Sequence, residues 1–117
     1  MTSRSNPISS DYVIVTTTVE NKKAAHALAK MVVERKLAAC AQVFGPIQSV
    51  YRWKEEVQES EEWMCSMKTS QALYARLERA IQEQHTYDEP EIIATAVVAG
   101  SVGYLTWLQD NLLEESP

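Results

Sequence analysis

The stretch from Ala38 to Thr69 constrains this chain most, because it reads as two β-strands of unusual length joined in one hairpin. Strands average about 5–6 residues, roughly 17–20 Å. Each arm here, Ala38–Trp53 and Val57–Thr69, runs more than twice that, on the order of 45 Å at ~3.3 Å per residue. Two helical patterns elsewhere, of about 15 residues each, would cover only ~22 Å. The hairpin therefore projects beyond its own helical cover. Its backbone edges and its aromatic residues Phe44, Tyr51, Trp53 and Trp63 need a partner. A further copy of the chain is the simplest one.

The rest of the chain supplies the helices and two more strands. Tyr12–Thr18 is a continuous β-branched run, read as a strand in the middle of a sheet and buried on both faces. Asn21 caps a predicted helix over Lys22–Lys36, whose apolar stripe is Ala24, Leu28, Met31 and Val32. Within the first arm, Gly45-Pro46 predicts a bulge, since proline cannot donate to the ladder. Lys54-Glu55-Glu56 is the predicted turn, and without Gly or Asn it does not match a two-residue hairpin turn. The return arm begins charged at Glu59, Glu61 and Glu62 and is expected to leave the protomer there; beyond, Trp63, Cys65 and Met67 share one face. Thr69 or Ser70 caps a second helix to Gln84 with the stripe Leu73, Leu77, Ala80 and Ile81. Glu91–Ala99 reads as a buried strand, and Ser101 caps a short helix Val102–Leu113 presenting Leu105, Leu108 and Leu112.

The order β-α-β-β-α-β-α with right-handed crossovers gives an α+β, ferredoxin-like sandwich carrying a long hairpin and a C-terminal helix. Both long helices then cover one sheet face and leave the other open, a second argument for a closed oligomer. One domain is expected over residues 11–113, between a polar N-terminal tail, 1–10, and a short C-terminal tail, 114–117. The net charge of -5 and the lack of a basic cluster argue against a nucleic-acid partner. No apolar run reaches the ~20 residues of a membrane helix. The first ten residues hold no apolar segment of a signal peptide. That reading places the chain in the cytoplasm, with Cys40 and Cys65 as reduced core residues.

Five segments carry a resemblance: Lys36-Leu-Ala-Ala-Cys-Ala41, Ser49-Val-Tyr-Arg-Trp-Lys54, Lys68-Thr69, His85-Thr-Tyr-Asp-Glu-Pro-Glu91 and Tyr104-Leu-Thr-Trp-Leu108. In this order they resemble the CutA family, the divalent-ion tolerance proteins, over about Tyr12–Leu112. The resemblance implies a homotrimer of ferredoxin-like protomers, a role in tolerance of divalent metals, copper especially, and no well-defined catalysed reaction. The copper-ligand positions it implies fall on Thr17, Gln84 and His85, so one imidazole is left beside a hydroxyl and an amide, a poor donor set for Cu(II). His85 remains a candidate for weak binding of copper or another divalent cation, with Asp88, Glu89 or Glu91. Otherwise it serves a helix C-terminus.

The resemblance also places Lys68, His85, Tyr87, Glu91 and Trp107, with Tyr51 and Trp53 of a neighbour, along a cleft between subunits. Aromatic walls with a few polar groups suit a small ligand, or equally interface packing. A second function follows by architectural analogy with the PII signalling proteins: binding of a small anionic metabolite at such clefts, with Lys68 as the charge anchor. The chain shows no nucleophile elbow, phosphate-binding glycine loop or zinc spacing, so an enzyme is the least expected reading.

Overall fold

The computed structural model describes residues 11–114, so most of both predicted tails lies outside the described residues. Four strands form one antiparallel sheet: β1 (Tyr12–Val19), β2 (Cys40–Trp53), β3 (Glu56–Ser70) and β4 (Ile93–Ala96), in spatial order β2-β3-β1-β4. Helices α1 (Lys22–Glu34) and α2 (Tyr74–Gln84) cover one face, and α3 (Val102–Asp110) follows β4. This is the α+β, ferredoxin-like arrangement expected from the order of elements.

Helices α1 and α3 begin at a capping side chain. The Asn21 carboxamide accepts the Ala24 N–H at 2.8 Å, and the Ser101 hydroxyl accepts that of Tyr104 at 3.3 Å. Ser70 accepts the Leu73 N–H and opens a 3-10 turn, Gln71–Leu73, ahead of α2. Helix α1 ends at Glu34 rather than Lys36, because Lys36 takes a left-handed φ of 59° and turns the chain out. Its buried stripe is Ala25, Leu28, Ala29 and Val32. Ala24 and Met31 of the expected stripe flank it, half-buried. The α2 stripe, Leu77, Ala80 and Ile81 with Leu73 before it, is buried as read. Leu77, Ala80 and Ile81 meet the α1 stripe and Val13, Val15, Cys65 and Met67 of the sheet in the main core. A smaller cluster, Leu108 and Leu112 with Ala39 and Leu73, seats α3; Leu105 is only half-buried.

The hairpin behaves as its length predicts. Its arms contain 14 and 15 residues, and the long axis of the protomer is 52 Å. The bulge falls at Gly45-Pro46, where the register breaks between Phe44 and Ile47. Gly45 lies against the Trp63 indole so closely that a Cβ there would come within 2.7 Å of the ring.

Three expectations are corrected. The turn has two residues, Lys54 and Glu55, at φ 51° and 68°, between the paired Trp53 and Glu56. Positive φ at both positions is the mirror-image turn that matches strand twist, here formed without Gly or Asn. β1 is central and buried along its helix-covered face, but on the other face only Thr18 is buried while Ile14 and Thr16 remain half-buried. β4 has four residues, all exposed, with Ile93 at 53%. Of the predicted run only Ile92, just before β4, packs against the main core.

Candidate functional site

Side chains alternate across a strand, and directly paired residues share a face. The register therefore assigns the face opposite the helices: Ile14, Thr16 and Thr18 of β1, Glu62, Met64, Ser66 and Lys68 of β3, Gln42, Phe44 and Tyr51 of β2, and Ile93 of β4. Phe44 is 47% exposed and Tyr51 45%. Two polar clusters stand at opposite ends of this face.

The first is built where α2 ends. His85 is the C-cap residue of α2, and its Nε2–H donates to the Thr18 carbonyl at 2.8 Å. The Tyr87 N–H donates to His85 Nδ1 at 3.1 Å, which fixes the neutral Nε2–H tautomer. The two rings lie 4.7 Å apart. Tyr87 reaches over the sheet and its hydroxyl donates to Glu62 Oε2 at 2.9 Å. Thr86 ties the same turn to Glu20 at 2.9 Å. Burial, then the Glu62 hydrogen bond and charge, push the Tyr87 phenol well above its usual range. Glu62 is only 8% exposed although the surrounding sequence reads as a solvated charged arm.

The second cluster lies under α3. Lys68 Nζ donates to Gln42 Oε1 at 2.9 Å and sits 6.0 Å from the Tyr104 ring. Tyr104 stacks on Trp107 at 5.5 Å, and both rings are exposed. Six residues of β3 separate Lys68 from Glu62, which is about 20 Å at ~3.3 Å per residue.

One protomer thus divides the predicted cleft. His85 and Tyr87 stand at one end and Lys68 and Trp107 at the other, while Glu91 is exposed without a hydrogen bond among the described residues. Trp53 is exposed beside the hairpin turn, and the Tyr51 hydroxyl accepts a hydrogen bond from Ser60 at 3.3 Å. Glu62, Gln42 and Tyr104 enter the two clusters without having been read as site residues. The signal for Glu62 and Gln42 was available in the strand alternation that puts them in phase with Lys68.

Thr17, Gln84 and His85 do not fit copper as a ligand set. Thr17 points into the helix-covered core, fully buried, and its hydroxyl oxygen has no hydrogen-bond partner. Gln84 and His85 line a cavity of about 180 Å³ with Val19, Ala24 and Leu28, but Thr17 is not in its wall. Both imidazole nitrogens of His85 are engaged. No group of three or more His, Cys, Asp or Glu side chains among the described residues could hold a metal ion. Cys65 is fully buried, and burial pushes its thiol up to about 11.

These features define a class: a ferredoxin-like protomer with an overlong hairpin and an uncovered, aromatic sheet face. The profile of the family described as CutA1 divalent ion tolerance protein matches residues 13–111, and the chain belongs to that family. The "Divalent-cation tolerance protein CutA" of Thermus thermophilus is 36% identical over 98 residues, covering 84% of this chain and 95% of that protein. The chloroplastic protein CutA of Arabidopsis thaliana is 39% identical over 99 residues, 85% of this chain; the match spans only 54% of the plant protein's length. The crystal structure of CutA1 from Oryza sativa superposes with a TM-score of 0.87 at 36% identity, covering 91% of this chain and 97% of that one. No helix among the described residues is long and apolar enough to cross a membrane.

Proposed function

We propose that this chain works as a cytoplasmic homotrimer in the response to divalent cations, and that it catalyses no reaction. The observation that carries the assembly is the uncovered sheet face, with Phe44, Tyr51 and Ile93 each about half exposed and both sheet borders unpaired. Apolar and aromatic surface arranged on one face is an association surface. The cation role follows from family membership, and the chemistry of this chain shapes it. Copper or another divalent cation is bound weakly, through His85, because an ion must displace either the Thr18 or the Tyr87 hydrogen bond. Calorimetric titration with Cu(II) tests this part. Weak heat that disappears in His85→Ala is expected, and a tight site retained by that variant overturns it. Sedimentation of the unmodified protein tests the assembly, and a stable monomer refutes it.

A second reading has its own observation. Lys68 is oriented by Gln42 beside the stacked, exposed Tyr104 and Trp107 rings. An ammonium next to an aromatic stack suits a small anionic metabolite that carries a flat ring. ATP as a probe should raise the melting temperature progressively with its concentration. The same titration should leave Lys68→Ala unchanged; no shift in the unmodified protein ends this reading.

A further inference from the structure

The Glu62 carboxylate is more than nine-tenths buried, and its hydrogen bond is a single neutral one, from the Tyr87 hydroxyl. Among the described residues no ion pair reaches it. Burying a carboxylate is costly unless a counter-charge accompanies it. On the same sheet face Lys68 presents the converse: an ammonium that has Gln42 and an aromatic ring for company, and no carboxylate. Among the strand positions of that face Lys68 is the single Lys or Arg. The two groups stand about 20 Å apart along β3, at ~3.3 Å per residue over six residues, so they cannot meet within one copy.

We propose that Glu62 of one copy and Lys68 of the next form an ion pair across the interface between copies, with the Tyr87 hydroxyl holding the carboxylate in place. The proposal rests on the self-assembly read above and names the polar contact that orients it. Between the two charges the face is mixed: Met64 and the half-exposed Phe44 stand next to Glu62, Ser66 and Gln42 next to Lys68, and Ile93 lies on the same face. A second copy laid on this face buries Met64, Phe44 and Ile93 and brings its own ammonium to the carboxylate. The pair then sets register, since a copy docked in a shifted register leaves one carboxylate and one ammonium buried without partners. It also gives a buried carboxylate its counter-charge: within one copy, Glu62 has the Tyr87 hydroxyl and no cation among the described residues.

The separation within one copy makes the test clean. Substitutions more than about 10 Å apart with no shared partner act additively, so coupling between positions 62 and 68 must arise between copies. Glu62→Gln keeps an oxygen for Tyr87, and Lys68→Met keeps the length of the side chain; far-UV circular dichroism checks that both fold. The measurement is subunit exchange, followed by native mass spectrometry after mixing isotopically labelled and unlabelled assemblies. Each single variant should exchange at least about tenfold faster than the unmodified protein, as expected for a close interfacial charge pair. The double variant should be no faster than the faster single one. Additive effects in the double variant, or single variants that exchange at the unmodified rate, overturn the pair while leaving self-assembly intact. An unmodified protein that sediments as a monomer removes the assembly itself, and this is known before any variant is made.

Discussion

Tyr87→Phe isolates one hydrogen bond to a buried charge. The phenol donates to Glu62 at 2.9 Å, and the substitution removes only the hydroxyl oxygen. A hydrogen bond to a charged group contributes about 1.5–3 kcal/mol, so the expected loss is about 2 kcal/mol per protomer. For a domain of this size, 1 kcal/mol shifts the midpoint by about 4 °C, which places the change near 8 °C. Thermal unfolding at matched protomer concentration measures it, because association also moves the midpoint. The pH dependence supplies an internal check. Below pH ~10 the phenol is protonated in both folded and unfolded chains, so its contribution is constant. The folded-state value is raised, so the unfolded chain loses its proton first and stability declines as pH rises above ~10. Tyr87→Phe lacks that decline, so the gap between the two proteins narrows from pH 9 to 11. Tyr12 and Tyr74, also raised by burial and neighbouring acids, remain in both and cancel in the difference. A gap that stays constant over that range, or a variant that melts with the parent, refutes the reasoning.

Three further outcomes are expected. Leu77→Ala removes a fully buried side chain from the contact between α2 and the sheet and should cost about 3 kcal/mol in denaturant unfolding. Gly45→Ala drives a methyl group into the Trp63 ring, which Lys22 covers at 5.6 Å; a loss of about 1–3 kcal/mol and a shift in tryptophan emission should follow. The Cys65 thiol, pushed up to about 11 by burial, should resist alkylation at pH 8 in the folded protein and react fully in denaturant.

The long-range plan was legible because local signals agreed with it. Asn21, Ser70 and Ser101 each cap the helix or turn they precede, and the α2 stripe points inward as its spacing requires. Gly45-Pro46 reads as a bulge for backbone reasons that hold in any context. What escaped depended on neighbours distant in sequence. The Glu91–Ala99 run looks like a core strand, but only its pairing with β1 shows that Ile93–Ala96 is an exposed border, with Ile92 alone turned to the core. Lys54-Glu55 lacks the residues that favour positive φ, and the twist of two long, well-paired strands imposes the turn on them. Glu62 sits among Glu59 and Glu61 and shares their composition, yet its phase puts it beneath Tyr87. The imidazole of His85 is visible in a sequence, whereas the carbonyl and amide that engage its two nitrogens, and that a cation has to displace, are not.

The main core lies where the two helices back β1 and the proximal part of the hairpin. Toward Lys54-Glu55 the two arms keep their ladder but have little packed behind them: Val50 and Val57 are both more than 60% exposed. Protons on those distal amides will trade with solvent quickly whenever the ribbon stands alone, and slowly once neighbours flank it. Deuterium uptake at the tip therefore reports whether, and how far, copies of the chain join, with no ligand needed.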